Sequence, residues 1–322
     1  LLVLPSELSH FDQYPLIKAL DPAAKPSGDP MAELIALGTT FPMARGSFWF
    51  AAGVSFTSFA LVDGVCVISV QVGDGLEIAL LGLARMALPR PQVALVSIEL
   101  GLVARFSSKE GVLWVQAQLT DNSWLLYPDV RLTGGFAFVS WFKGPLRGQF
   151  VLTIGGYHPK FKREGYPVVP RLGLNWRVGP FITVKGESYF ALTSEAVMAG
   201  VRIEVSATFG PAWAQLILGA DGIVFFDPFH FEVEVYASIR AGVTIDVWIG
   251  EITISISISA KVMVEGPKFH GIATFSVGPV DLEVEFGDAN QPPRPLLPWG
   301  DFVRKYLEEA APDTARVVAT LP

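Results

Sequence analysis

The stretch FEVEVYASIRAGVTIDVWIGEITISISISAKVMV, residues 231–264, decides the fold. Its odd positions from Phe231 to Ile249 are apolar, and after Gly250-Glu251 the apolar set moves to the even positions from Ile252 to Val264. Side chains on a strand alternate between two faces, so this pattern specifies strands and not helices. A two-residue hairpin loop pairs the residues that flank it on one face. With Gly250-Glu251 as that loop, and glycine supplying the positive φ of a type II′ turn, Ile249 faces Ile252, Val247 faces Ile254, Ile245 faces Ile256 and Val243 faces Ile258. The same rule at Gly266-Pro267 sets Val264 against Phe269 and Ile258 against Phe275. At Gly278-Pro279 it sets Val277 against Val280 and Phe275 against Leu282. A one-residue slip turns each apolar set to water, so the register is strongly specified. The expectation is a meander of strands over 231–249, 252–265, 268–277 and 280–286 with an opposite face rich in Ser and Thr. In that register Arg240 lies opposite Lys261, an unfavourable like-charge pair, and Gly242 marks a bend or bulge.

The rest of the chain repeats this language. Strands are expected over 48–60, 64–72, 76–88, 92–105, 112–119 and 132–142, then near 171–178, 181–190, 197–209, 212–219 and 223–226. Asp63-Gly64, Asp74-Gly75 and Asp221-Gly222 read as hairpin turns. Strands follow one another without intervening helices, which requires antiparallel pairing. The fold class is therefore all-β, a large curved antiparallel meander (half-pipe or barrel-like) with short terminal helices. Asp29-Pro30 opens a helix that Gly38 closes. Phe302, Val303, Tyr306 and Leu307 share one face of a second helix, after the proline-rich linker Gln291–Pro298. Three regions result: an irregular segment with a short helix over 1–45, an antiparallel β domain over 46–287, and the linker with its helix over 288–322.

Composition narrows the function. Of 322 residues, 51% are hydrophobic and 17% charged, against about 25% charged in ordinary domains. Mean hydropathy is +0.42, yet no apolar run is long enough for a membrane-spanning helix. The apolar side chains, dispersed by alternation, must face a core, a lipid, a ligand or another protein surface. A net charge of −7 argues against nucleic acid. A single cysteine, Cys66, excludes an intrachain disulfide and CxxC metal clusters and reads as a core thiol. Leu1-Leu-Val-Leu-Pro5 lacks the basic start of a signal peptide and reads as part of a longer polypeptide. The compartment is left open, with the cytoplasm favoured.

Five segments resemble one known family. They are Gly46-Ser-Phe-Trp-Phe-Ala-Ala-Gly53, Arg131-Leu-Thr-Gly-Gly-Phe136, Phe150-Val-Leu-Thr-Ile-Gly-Gly-Tyr-His-Pro159, Tyr166-Pro-Val-Val-Pro-Arg-Leu-Gly173 and Tyr189-Phe-Ala-Leu-Thr193. Over Leu37–Gly287 the chain is similar to domain of unknown function 6603, found in large bacterial and fungal proteins. The resemblance implies a β-rich domain within longer polypeptides and carries over no activity.

The standard catalytic strings are missing. His158 with Asp221 or Asp227 could serve a hydrolase, but no nucleophile accompanies them, so the reading points away from an enzyme. No cofactor or metal is assigned. Asp281, Glu283 and Glu285 alternate on one strand and could hold Ca²⁺, although guarding an edge strand explains them as well. The expected function is a non-catalytic scaffold binding a hydrophobic small molecule or lipid along the face of Val243, Ile245, Val247, Ile254, Ile256, Ile258 and Phe275. A cationic loop, Tyr157, His158, Lys160, Lys162 and Arg163, would contact a headgroup or anion at its mouth. The alternatives are a structural module that packs this face against other segments of a larger protein, and a membrane-inserting β-hairpin protein. Trp176 and Trp248, near turns, are candidate interface anchors.

Overall fold

The computed structural model describes residues 46–58, 62–89, 93–248 and 250–288. The expected helices and the linker lie outside the described residues, as does Ile249. The described residues form one sheet of 17 strands in which every pairing is antiparallel. The large curved antiparallel meander expected from the sequence is what forms.

The sheet begins as a simple meander of β1 (Phe48–Ser58), β2 (Val62–Val72), β3 (Leu76–Leu88) and β4 (Val96–Ser107). It ends as another, of β11 (Ile182–Thr193), β12 (Ala196–Phe209), β13 (Ala212–Phe225), β14 (His230–Val247), β15 (Gly250–Gly266), β16 (His270–Val277) and β17 (Val280–Gly287). Between β4 and β11 the sheet forks. One branch is β5 (Val112–Leu119), β8 (Gly135–Trp141) and β9 (Phe150–Ile154). The other is β6 (Trp124–Leu125), β7 (Tyr127–Thr133) and β10 (Leu172–Val178). Both rejoin on the same edge of β11, where β9 takes residues 190–193 and β10 takes 182–188. The two branches with β4 and β11 make a partial ring of 8 strands.

Several turns fall elsewhere than the sequence suggests. The β14–β15 ladder closes with Val247 on Gly250 rather than reversing at Gly250-Glu251: Ile245 pairs with Ile252, Val243 with Ile254 and Ile239 with Ile258. At the next reversal Glu265 pairs with His270, so the loop runs from Gly266 to Phe269 and Ile258 meets Val277 rather than Phe275. Both slips are even, so every side chain keeps its face. They also relieve the charge conflict. Arg240 now faces Ser257, Lys261 faces Tyr236, and the Lys261 ammonium lies 2.8 Å from Glu234 Oε2. The Gly278-Pro279 hairpin has the expected register, with Val277 on Val280 and Phe275 on Leu282. The Asp74-Gly75 turn also forms, whereas Asp63-Gly64 and Asp221-Gly222 lie inside strands β2 and β13. Gly242 leaves the ladder unbroken; a Cβ there would lie 2.8 Å from the Trp213 ring, so the glycine makes room for the indole.

Following the register from strand to strand assigns every side chain to one of two faces. One face carries Phe48, Phe50, Val54, Ile68, Leu80, Leu102, Val115, Phe138, Leu152, Phe190, Ile203, Leu218, Ile239, Ile256, Phe275 and Leu282 with their period-two neighbours. Across all the described strands it holds no Asp, Glu, Lys, Arg, His, Asn or Gln, and Ser58, Ser140 and Ser188 supply its only hydroxyls. The other face carries the charges and most of the closely packed core: Val67, Leu81, Leu83, Val103, Val112, Val139, Trp141, Val151, Ala191, Met198 and Ile223.

Candidate functional site

Two features could carry function, and they lie on opposite faces. The first is the uncharged face. Six of the seven residues predicted to line it, Val243, Ile245, Ile254, Ile256, Ile258 and Phe275, share this face and remain between 37% and 69% exposed; the seventh, Val247, occupies a matching register position. The exposure continues through Val280, Leu282 and Val284 on β17 and, at the far end of the sheet, through Phe48, Phe50 and Val54 on β1. Trp248, at the tip of β14 and β15, is fully exposed, and Trp176 lies on the uncharged face. Cys66 is on this face too, half-buried, and burial pushes its thiol pKa up.

The second feature is a plug over the polar face. After β9 the chain leaves the sheet at Gly155 and returns at Leu172. Both glycines at the exit have left-handed φ (76° and 86°), and a Cβ on Gly156 would lie 2.9 Å from the Val169 carbonyl oxygen. Thr153 donates to the Gly156 carbonyl at 2.6 Å and Arg171 to that of Gly155 at 3.1 Å, which closes the base of the excursion. Within it Tyr157, Phe161 and Tyr166 pack as a trio of mutually tilted rings with centroids 5.7–6.2 Å apart. The trio packs onto two buried patches of the sheet, Tyr189/Ala191/Ala196/Met198/Ile223 and Val112/Val139/Trp141/Val151. Aromatic rings thus supply the apolar cover that a second layer would otherwise provide.

The predicted cationic loop is part of this plug, so the structure does not bring it together with the apolar wall. Tyr157 donates to the Pro167 carbonyl oxygen at 3.0 Å, and burial drives its pKa well above the ordinary phenol value. His158 is buried; its Nδ1 accepts the Lys160 backbone N–H at 3.2 Å, and desolvation lowers its pKa against the pull of Asp221 and Glu232. Lys160 pairs with Glu232 at 2.8 Å and Arg163 with Glu195 at 2.7 Å. Lys162 is exposed. The cations therefore clasp the plug to β14 and to the β11–β12 turn.

Beneath the plug, Tyr189, Gly200 and Asp221 are directly in register on β11, β12 and β13. The Tyr189 phenol crosses Gly200 and donates to Asp221 Oδ1 at 2.7 Å, with the Arg171 guanidinium 4.0 Å above its ring. Burial, then Asp221, raises the phenol pKa far beyond its usual range. Asp221 is thus committed to a phenol. Beside the plug on the same polar face His230, Glu232, Glu265, His270 and Glu285 gather on β14 to β17. Sequence reasoning missed this group, although His230 and Glu232 stand two apart on one strand. Asp281 and Glu283 are exposed on β17.

The sequence model of a family of unknown function, DUF6603, matches residues 2–320. The chain belongs to that family. The match extends beyond the Leu37–Gly287 stretch that carries the resemblance and includes both terminal segments. No curated protein and no solved structure matches the chain. This DUF6603 chain holds, among the described residues, no helix long and apolar enough to cross a membrane.

Proposed function

We propose that this chain is a non-catalytic β scaffold that holds a hydrophobic ligand or lipid along its uncharged face. One observation carries the reading: a face without a charged side chain runs across every described strand, while its isoleucines and phenylalanines on β14 to β17 stay about half exposed. Contiguous exposed apolar surface beyond a few hundred Å² marks a binding surface in a folded protein. Lipid tails need only apolar area without competing charge, and a face with almost no hydrogen-bonding group suits them better than it suits a polar small molecule. Trp248 adds an amphipathic anchor at the tip of the hairpin. A second reading has its own support. Among the described strands, β1 and β17 each pair with a single neighbour, and such open edges suit an assembly module that extends its sheet or covers the face with protein.

Lipid extraction and mass spectrometry of the purified chain tests the first reading. Co-purified lipid is expected, and Ile256→Glu, which places a carboxylate in the middle of the wall, should abolish it. A folded Ile256→Glu protein that still carries lipid removes the proposal. Lipid-free protein that self-associates through the same face supports the second reading instead.

A further inference from the structure

The group at the C-terminal end of the polar face points to a metal. In the β14–β15 ladder Glu232 is directly opposite Glu265, on the same face. Two carboxylates so placed repel, and pairs of this kind are destabilising unless something cationic stands between them. Both side chains are largely buried, with 15% and 24% exposure, and the His230 side chain beside them is at 6%. One ligand atom each from His230, Glu232 and Glu265 lies within 4.8 Å of the other two. The Lys160 ammonium sits 2.8 Å from Glu232 Oε2, while the second oxygen, Oε1, turns to His230 Nε2 at 3.3 Å. Glu265 is oriented from behind: its Oε1 lies 3.2 Å from His270 Nδ1, and His270 Nε2 lies 2.9 Å from Glu285 Oε1. Carboxylates that bind metals are themselves held by outer hydrogen-bonding groups, and His270 stands in that place behind Glu265.

We propose that His230, Glu232 and Glu265 form a site for a divalent transition metal of the Zn²⁺ class. One imidazole nitrogen and two carboxylates match the ligand preferences of zinc, and three protein ligands leave a fourth position for water. Ca²⁺ needs more oxygen donors than this cluster offers, and Mg²⁺ takes an all-oxygen shell rather than an imidazole. The ion neutralises the facing carboxylates and ties β14 to β15 where Lys160 brings down the plug. The site is independent of the lipid reading, since it lies on the other face.

The test is Zn²⁺ binding by the full chain after chelator treatment and dialysis. Calorimetry should give one Zn²⁺ per chain, and Zn²⁺ at a hundred-fold excess over its Kd should raise the melting temperature by roughly 5 °C. Glu265→Gln and His230→Gln should each weaken binding at least tenfold with an unchanged circular dichroism spectrum. Asp281→Asn, an exposed carboxylate on β17, should bind as the parent does. The proposal fails if the parent takes up no stoichiometric Zn²⁺. It fails equally if uptake is the same in the parent, Glu265→Gln and His230→Gln proteins, or if Asp281→Asn alone removes it. Should one cluster variant misfold, the other decides.

Discussion

Replacing Gly200 by alanine should be far more damaging than its place in an ordinary extended strand suggests. The backbone there is not left-handed, so alanine is unstrained and would by itself gain about 0.4–1 kcal/mol by restricting the unfolded chain. Space is the obstacle. The new Cβ would lie 2.5 Å from Asp221 Oδ1 and closer still to the Tyr189 ring, because the phenol crosses this glycine to reach the carboxylate. Overpacking a closed site costs about 1–3 kcal/mol, and moving the phenol off Asp221 forfeits a bond to a charged group, a further 1.5–3 kcal/mol or so. The net loss is about 2–5 kcal/mol, enough to lower the melting temperature by roughly 3–10 °C in a chain of this size. Gly186→Ala is the control: its Cβ would meet Leu174 Cγ at 3.6 Å, an ordinary contact, so stability should hold or rise slightly. Denaturant unfolding of both variants measures the difference. In a Tyr189→Ala background the Gly200→Ala penalty should largely vanish, since ring and bond are already gone. A Gly200→Ala protein as stable as the Gly186→Ala protein refutes the reasoning, and so does a penalty that persists without Tyr189.

Three further outcomes follow from buried side chains. Tyr189 titrates well above its unfolded value, so its contribution is complete below about pH 10 and fades as pH rises beyond that; stability measured from pH 9 to 11 should fall less steeply in Tyr189→Phe than in the parent. Glu99 is buried, which alone would raise its pKa, but Thr120, Arg85 and Asn122 all donate to it and the net shift is downward. Its contribution is therefore present above about pH 4.5 and lost on acidification, and Glu99→Gln, which sets an amide among those donors, should cost about 1–3 kcal/mol in urea unfolding at pH 7 and progressively less as the pH is lowered through the folded pKa. Met198→Ala, beneath the plug and 1% exposed, should cost about 2–5 kcal/mol and speed proteolysis within 156–171; an unchanged cleavage rate would show that Met198 does not hold the plug down.

The alternation in 231–286 made both faces legible, because burial partitions side chains with period two whatever the turn. It could not place the turns. Any even slip still sets Ile or Val against Ile or Val, so Val243 fits Ile258 on paper and Ile254 in the structure. Polar detail separates the two registers: Arg240 escapes Lys261, and Lys261 gains Glu234. Turn dipeptides misled where a glycine served a neighbouring ring instead, Phe56 at Gly64 being the plainest instance. The plug reads in sequence as a cationic loop at the mouth of the apolar face, because no local sign shows that Tyr157, Phe161 and Tyr166 face the sheet. The grouping of His230, Glu232 and Glu265 depends on pairing across a long hairpin, and an even slip there moves Glu265 away from Glu232.

The forked middle of the sheet has a kinetic consequence. The first four strands and the last seven can zip from neighbour to neighbour, each hairpin closing a short loop. The junctions β5–β8, β7–β10 and β9–β11 instead join segments distant in sequence, and β9 and β10 must dock side by side on one edge of β11. Two flanks that assemble quickly and a seam that seals last would give amides of β7, β9 and β10 the weakest early protection in pulsed hydrogen exchange, and would leave the joining of the halves as the slow step of folding.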